Sequence, residues 1–369
     1  MHKICHITTV HPRYDGRIFR KECVSLAKEP LYDVTLIVND MNEDEVLDGV
    51  NILSLRHNAG GRIKRMLFSS RKALEKALSV NAEVYHIHDP ELLPLALKLK
   101  KKGFRVIFDS HEFTYYQIPL KSYIPKPVLG LVAKVYGSYE RHVLSRIDAV
   151  IVPCTYDGRN YFESFAKRTV FIDNLPYLVQ PSRGDDSKDF SLCYVGSLTR
   201  ARGAEIMLDA AVATDTKFVF AGAFEEDLYN QVRAQLESDV LSYKGFVGKD
   251  EVQELLSSAS VGLSLLQNTG QYEHLDNLPT KVYEYFMFGL PVILSRRSFS
   301  EKFVEENPVA ILVDPGNLDE ICSAINEFKN NPNLVDEMGA RARRIAEDSY
   351  CWEKESLKLL SLYADLLES

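Results

Sequence analysis

The sequence predicts an α/β protein of two Rossmann-like domains, each on a parallel sheet and facing the other across a cleft. Three observations carry this prediction. The chain has 369 residues, more than one hydrophobic core ordinarily serves. Short β-branched or aromatic runs alternate with helical patterns almost throughout, the signature of repeated βαβ units. The alternation breaks after Asn174 in LPYLVQPSRGDDSKDF, a stretch rich in Pro, Ser, Gly and Asp, and then starts afresh. The expected plan is a first domain over 1–174, a linker over 175–190 and a second domain over 191–349, with the closing helix 350–369 a candidate to pack back on the first.

In the first half, strands are expected near 4–10, 34–38, 51–55, 84–88, 106–109, 149–153 and 169–172, with helices between them. In the second half they are expected near 192–195, 217–221, 241–244, 261–265, 291–294 and 310–313. Open parallel sheets bind ligands at the carboxyl ends of their strands, so chemistry is sought in the loops that follow.

Composition narrows the class. Hydrophobic residues make up 46% and charged residues 26%, the balance of a globular protein. No stretch approaches the roughly 18 apolar residues that span a bilayer, and the N-terminus MHKICHITTV has no signal-like apolar run, so the expectation is a cytoplasmic protein. Six cysteines without CxxC spacing argue against disulfide or zinc frameworks. The net charge of -8 divides unevenly: residues 1–174 hold 26 Lys+Arg against 20 Asp+Glu, giving +6, and the rest hold 18 against 32, giving -14. A basic first half suits an anionic partner, a membrane face or phosphorylated acceptor, while the acidic second half argues against nucleic acid. The helix expected over 62–78, with Arg62, Lys64, Arg65, Arg71, Lys72 and Lys76 around an apolar stripe, adds a candidate surface for peripheral docking at the inner membrane face. The run Lys98, Lys100, Lys101, Lys102 and Arg105 adds a second.

The strongest chemical signal is DNLPTKVYEYFMFGLPVI, from Asp276 to Ile293. Pro279 suits a first helical turn, Asn277 a cap before it, and Gly289 a helix end. Amides near Thr280 and Lys281, with the positive end of the dipole, would form an anion site. Glu284, one turn on, could accept hydrogen bonds from a vicinal diol. A second segment, CYVGSLTRARG, is a strand that stops at Gly196 and passes Arg200 and Arg202 before a helix opens at Gly203. Arginines there can grip a diphosphate bidentately.

Together these motifs resemble the retaining glycosyltransferases of family 4, of GT-B architecture, with their G-R-L-x-x-x-K-G loop and E-x7-E motif before a G-x-P-V-I strand. Here the first reads GSLTRARG, with Ser197 at the arginine position and Arg202 at the lysine position. The second reads Asp276, seven residues, Glu284, then GLPVI. The match is good over 192–314 and looser before it. It implies a UDP- or GDP-linked sugar donor held by Ser197, Arg200, Arg202, Thr280, Lys281 and Glu284, with Phe246 and Val247 near the base. Asp276 would contact the sugar, with Glu273 as the alternative.

In the first half, the loop of His11, Arg13, Asp15, Gly16 and Arg17 resembles the family's glycine-bearing loop, Gly16 being the best match. His88 and Asp89 resemble its H-x-H segment, and His111, beside Glu112, its histidine near the transferred sugar. His86 and His88 share one strand face, yet no third metal ligand is evident in sequence. No D-x-D motif is present, so neither a metal nor any other cofactor is expected. The resemblance implies transfer, with retention, to a glycan or lipid-linked acceptor, as in cell-surface polysaccharide synthesis. Phe113, Tyr115 and Tyr116 suit such an acceptor. An epimerase of the same architecture and a non-catalytic nucleotide-sugar-binding protein are the competing readings.

Overall fold

A computed structural model describes residues 1–56, 70–121, 125–180, 189–268 and 273–368. The chain forms two compact units, one of residues 1–174 together with 354 onward, the other of residues 175–353. Half of the predicted linker (181–188) lies outside the described residues.

Among the described residues, the first unit holds an eight-stranded sheet. Its strands are β1 (His2–Ile7), β2 (Tyr32–Val38), β3 (Glu45–Leu47), β4 (Val50–Ser54), β5 (Val84–Ile87), β6 (Arg105–Asp109), β7 (Ala149–Val152) and β8 (Thr169–Phe171). They lie in the order β3-β4-β2-β1-β5-β6-β7-β8. All pairs are parallel except β3 with β4. Strand β3 was not expected from the sequence. Its signal is Asp48-Gly49, both at positive φ (50° and 80°), the dipeptide that a two-residue hairpin turn requires. The central strands are continuous β-branched runs because helices cover both sheet faces; Val84 to Ile87 and Ala149 to Val152 are buried throughout.

The second unit repeats the plan with β9 (Ser191–Val195), β10 (Lys217–Ala221), β11 (Leu241–Tyr243), β12 (Val261–Ser264), β13 (Val292–Ser295) and β14 (Ala310–Val313). Their order is β11-β10-β9-β12-β13-β14, all parallel. One apolar layer includes Tyr194, Phe218 and Phe220, and another Val282, Tyr285 and Phe286. In both sheets the strand order reverses beside the first strand, between β1 and β5 and between β9 and β12. The crevices at these switch points are where such sheets bind ligands.

The last helix, Trp352–Glu368, leaves the second unit, and its residues from Lys354 on group with the first. Tyr363 on it is fully buried. Of the basic helix expected over 62–78, residues 62–69 lie outside the described residues. The remainder forms Ser70–Val80, where Lys76 pairs with Asp44 at 3.1 Å and Arg71 with Glu75 at 3.2 Å. Lys100 is likewise paired, with Asp148 at 2.6 Å.

Candidate functional site

The second unit's site forms where β9 ends. Gly196 has φ +136°, and a Cβ there would stand 3.1 Å from Lys281 Nζ and 3.6 Å from Arg202 Nη1. The two cations therefore converge on one backbone position that glycine leaves uncovered. Arg202 reaches it because its turn is fixed on both sides. The Thr199 side chain accepts from the Arg202 amide at 3.3 Å. Gly203, at φ +73°, packs so close that a Cβ would fall 2.2 Å from the Leu265 carbonyl oxygen.

Lys281 comes from the first turn of the helix Thr280–Met287. Its ammonium sits 3.6 Å from the centre of the Tyr194 ring, and the Tyr194 hydroxyl donates to the Ser197 carbonyl at 2.9 Å. Burial, and then Arg202, hold the Lys281 amine well below the usual lysine range, while Glu284 acts in the opposite sense. Among the described residues, Arg202 has no carboxylate partner. Arg202, Thr280, Lys281 and Arg297 line a cavity of about 270 Å³ with Asn277, Leu278 and Pro279. Three cations about one small cavity make an anion site.

Several predicted residues lie elsewhere. Arg200 is turned out of the cavity: its guanidinium donates to Gln231 at 2.5 Å and stands 4.0 Å from Glu205. Ser197 is exposed beside Gly196. Asn277 does not cap the helix; Pro279 occupies the cap position without a side-chain bond, and the Asn277 carbonyl accepts from Arg297 at 3.5 Å. Gly289 ends the helix region at φ +66°. Asp276 and Glu284 are half-buried and do not line the cavity. Glu273 is exposed. Beyond the end of β11, Phe246 is 90% exposed, whereas Val247 packs on the apolar layer.

Arg297 is the residue that sequence reasoning missed. It follows β13, its amide is bonded to Ser300 Oγ at 2.8 Å, and burial lowers its guanidinium from the usual range. The signal was available: Arg296-Arg297 stand at the carboxyl end of a predicted strand.

In the first unit, Asp109 at the end of β6 is fully buried and organises the groups around it. Arg17 grips it bidentately, both contacts at 2.9 Å. His111 Nε2 lies 3.1 Å and His88 Nδ1 3.4 Å from its Oδ2. Arginine is the cation that holds Asp109 well below the usual carboxylate range against the opposing effect of burial. With Nε2 of His111 turned to Asp109, Nδ1 is the ring nitrogen left for other work. His111 lines a cavity of about 690 Å³ with His11, Asp89, Glu91 and Tyr136 among others. The His11 and His111 rings are 4.7 Å apart, and a bond to Asp15 raises the His11 imidazole above its ordinary value.

Asp89 is structural. It accepts from Thr8 Oγ1 at 3.0 Å, from Val10 N at 3.2 Å and from the Thr9 amide, closing the loop after β1. Arg13 is consumed by Asp40 and Glu45 at 2.6 and 2.7 Å, so neither it nor Arg17 is free for phosphate. Gly16 is exposed, and a Cβ on it would meet nothing within 4 Å; no close backbone approach explains a glycine there. Phe113 is buried core at 1% exposure, while Tyr116 stacks on Tyr156 at 4.0 Å beside a cavity of about 300 Å³.

Two doubly wound units, one carrying a convergent cation site at its switch point, define the GT-B architecture. Residues 180–345 match the family described as glycosyl transferases group 1, and residues 20–174 match the glycosyl transferase 4-like domain. The two family models together cover residues 20–174 and 180–345, one for each unit. Over 184 residues it is 24% identical to spore coat protein SA of Bacillus subtilis, which covers 46% of this chain and 47% of that protein. It spans about half the length of the curated relatives it matches. Sucrose-phosphate synthase from Thermosynechococcus elongatus has a similar fold, with TM-score 0.74, 16% identity and full coverage of both chains. HepE of Anabaena, solved in complex with UDP, aligns at TM-score 0.71 and 12% identity over 99% of this chain and 100% of its own. Among the described residues, no helix is long and apolar enough to cross a membrane.

Proposed function

We propose that this chain is a retaining, family 4 glycosyltransferase that moves a hexose from a UDP- or GDP-linked donor to a glycan or lipid-linked acceptor in cell-surface polysaccharide synthesis. The convergence of Arg202 and Lys281 on Gly196 carries the proposal. Two linked phosphates need opposing cations and a backbone they can approach, and the cavity offers both. HepE's complex with UDP supports a donor of this type. In this reading Glu284, on the Lys281 helix, accepts from the ribose diol. Phe246, exposed beyond the end of β11, offers an aromatic face to the base.

Transfer in this reading is driven by holding charge. As the anomeric bond to the diphosphate breaks, negative charge grows on the leaving oxygen, and fixed cations in a water-poor cavity stabilise it without reorganisation. The chemistry at the diphosphate then needs no divalent metal. His111, oriented through Nε2 by Asp109, serves the sugar through Nδ1. The acceptor hydroxyl loses its proton to the departing phosphate, and Asp276 contacts the sugar. The half-buried aromatic stack of Tyr116 and Tyr156 fits a glycan or prenyl acceptor. The net charge of +6 on residues 1–174 fits a phosphorylated or membrane-borne one.

The test is product formation from UDP- and GDP-sugars in chelator, with and without a lipid-phosphate or oligosaccharide acceptor. The proposal requires acceptor-dependent release of nucleoside diphosphate. Conversion of the donor without acceptor would mean an epimerase, and tight binding without turnover a non-catalytic binder.

A further inference from the structure

His86 and His88 do not stand alone in the first unit. Strand pairing sets His6 on β1 directly beside His86 on β5, and Glu22, from the turn of helix Ile18–Cys23, lies over them. All four side chains are fully buried or within 1% of it, and one ligand atom from each lies within 4.8 Å of the others. His6 Nδ1 is 2.9 Å from His88 Nε2, and these two nitrogens are 4.0 and 3.9 Å from Glu22 Oε2.

The outward atoms of the same residues are all held. Tyr363 OH lies 3.0 Å from His6 Nε2 and 2.9 Å from His86 Nδ1. His88 Nδ1 faces Asp109, and Glu22 Oε1 stands 2.9 Å from Arg17 Nε. His86 Nε2 and both Glu22 carboxylate oxygens are buried without a hydrogen-bond partner among the described residues, Oε1 having only its ion pair with Arg17. Metal-binding histidines show this pattern, with the distal nitrogen fixed by a partner and the proximal one left for the ion. The charge balance agrees. Glu22 and Asp109 share one arginine in a dry interior, so one negative charge stays unmatched unless a proton or a cation joins them.

We propose that His6, Glu22, His86 and His88 bind a structural zinc ion in the first unit, apart from the donor site in the second. Tetrahedral zinc with bonds of about 2.0–2.1 Å sets its ligands about 3.3 Å apart. The cluster reaches this by opening the His6–His88 pair slightly and drawing Glu22 and His86 inward by roughly an ångström. Binding displaces the proton between His6 and His88 and any proton on Glu22. Because the site is closed to solvent, the ion enters during folding.

Metal analysis of the purified full chain tests this. The expected result is about one zinc per chain after dialysis against metal-free buffer. It should fall at least tenfold in Glu22→Gln and in His86→Gln. If those variants fail to fold, the wild-type chain refolded with Co²⁺ decides, through the visible bands of tetrahedral cobalt. Wild-type protein refolded with excess Zn²⁺ or Co²⁺ that retains neither, or variants that keep full stoichiometry, would overturn the proposal and leave a metal-free hydrogen-bond chain. UDP binding to the second unit reads out separately, so this site and the donor site fail independently.

Discussion

The Lys281 ammonium rests 3.6 Å from the centre of the Tyr194 ring with the Arg202 guanidinium close by. A cation so placed gains from the ring's π-face but loses most of its hydration and faces a like charge. The site is therefore costly without an anion and favourable with one.

Replacing Lys281 with Met should raise the melting temperature of the ligand-free protein while weakening UDP or GDP binding roughly 10- to 100-fold, the range of one lost charge-assisted bond. Calorimetry and thermal melts on one sample check both halves. A variant that loses stability and affinity together would point to a packing role.

The same lysine sets a pH dependence. Its folded value lies below its unfolded value, so between the two the unfolded chain binds more protons and stability rises with pH. Below the folded value the full penalty is present. In Lys281→Met this rise, on the acid side of the ordinary lysine range, should be absent from melts of ligand-free protein.

Glu140 works in the opposite direction. Burial raises it from 4.5 to about 7, against the effect of its bonds from Tyr136 and Tyr161, which measure 2.9 and 3.0 Å. Here the folded state binds the extra proton, so stability should fall as pH rises from about 4.5 through 7, by up to about 3 kcal/mol. Melts of Glu140→Gln should lack this contribution across that window, leaving the smaller fall from Asp173, which burial raises to about 6.

His111→Ala should lower kcat about 10²-fold or more with donor affinity nearly unchanged. Asp109→Asn should lower turnover more than binding, since it removes the carboxylate that orients His111, while Arg17 keeps Glu22 Oε1 as a partner at 2.9 Å. Steady-state kinetics with a titration of donor binding separate the two roles.

The two repeated sheets were legible from sequence because buried parallel strands are written as uninterrupted Val, Ile and Leu runs. The edge strand β3 was not, since EVL is short and half polar and only Asp48-Gly49 marks its turn. At the second unit's cation cavity, Gly196, Arg202, Thr280 and Lys281 were legible because a glycine and cations at strand and helix ends form a recognisable pattern. Arg200 was misplaced because spacing along a loop does not say which side of a 3-10 turn faces the cavity; Gln231 and Glu205, on neighbouring helices, decide that. Arg297 was overlooked because the cation's partner elements are far apart in sequence. His6, Glu22 and Tyr363 were invisible as neighbours of His86 for the same reason, as they come from three elements that meet only in the fold.

Arg202 and Lys281 are proposed to hold a nucleoside diphosphate together. Isothermal titration of UDP and GDP in EDTA, into wild type, Arg202→Ala, Lys281→Met and the double variant, tests it most directly. The account predicts metal-free binding of one nucleotide, a loss of about 1.5–3 kcal/mol for each single variant, and a double variant whose loss departs from their sum because the two residues share one ligand. Unchanged binding in both single variants, or binding that requires Mg²⁺, would contradict it.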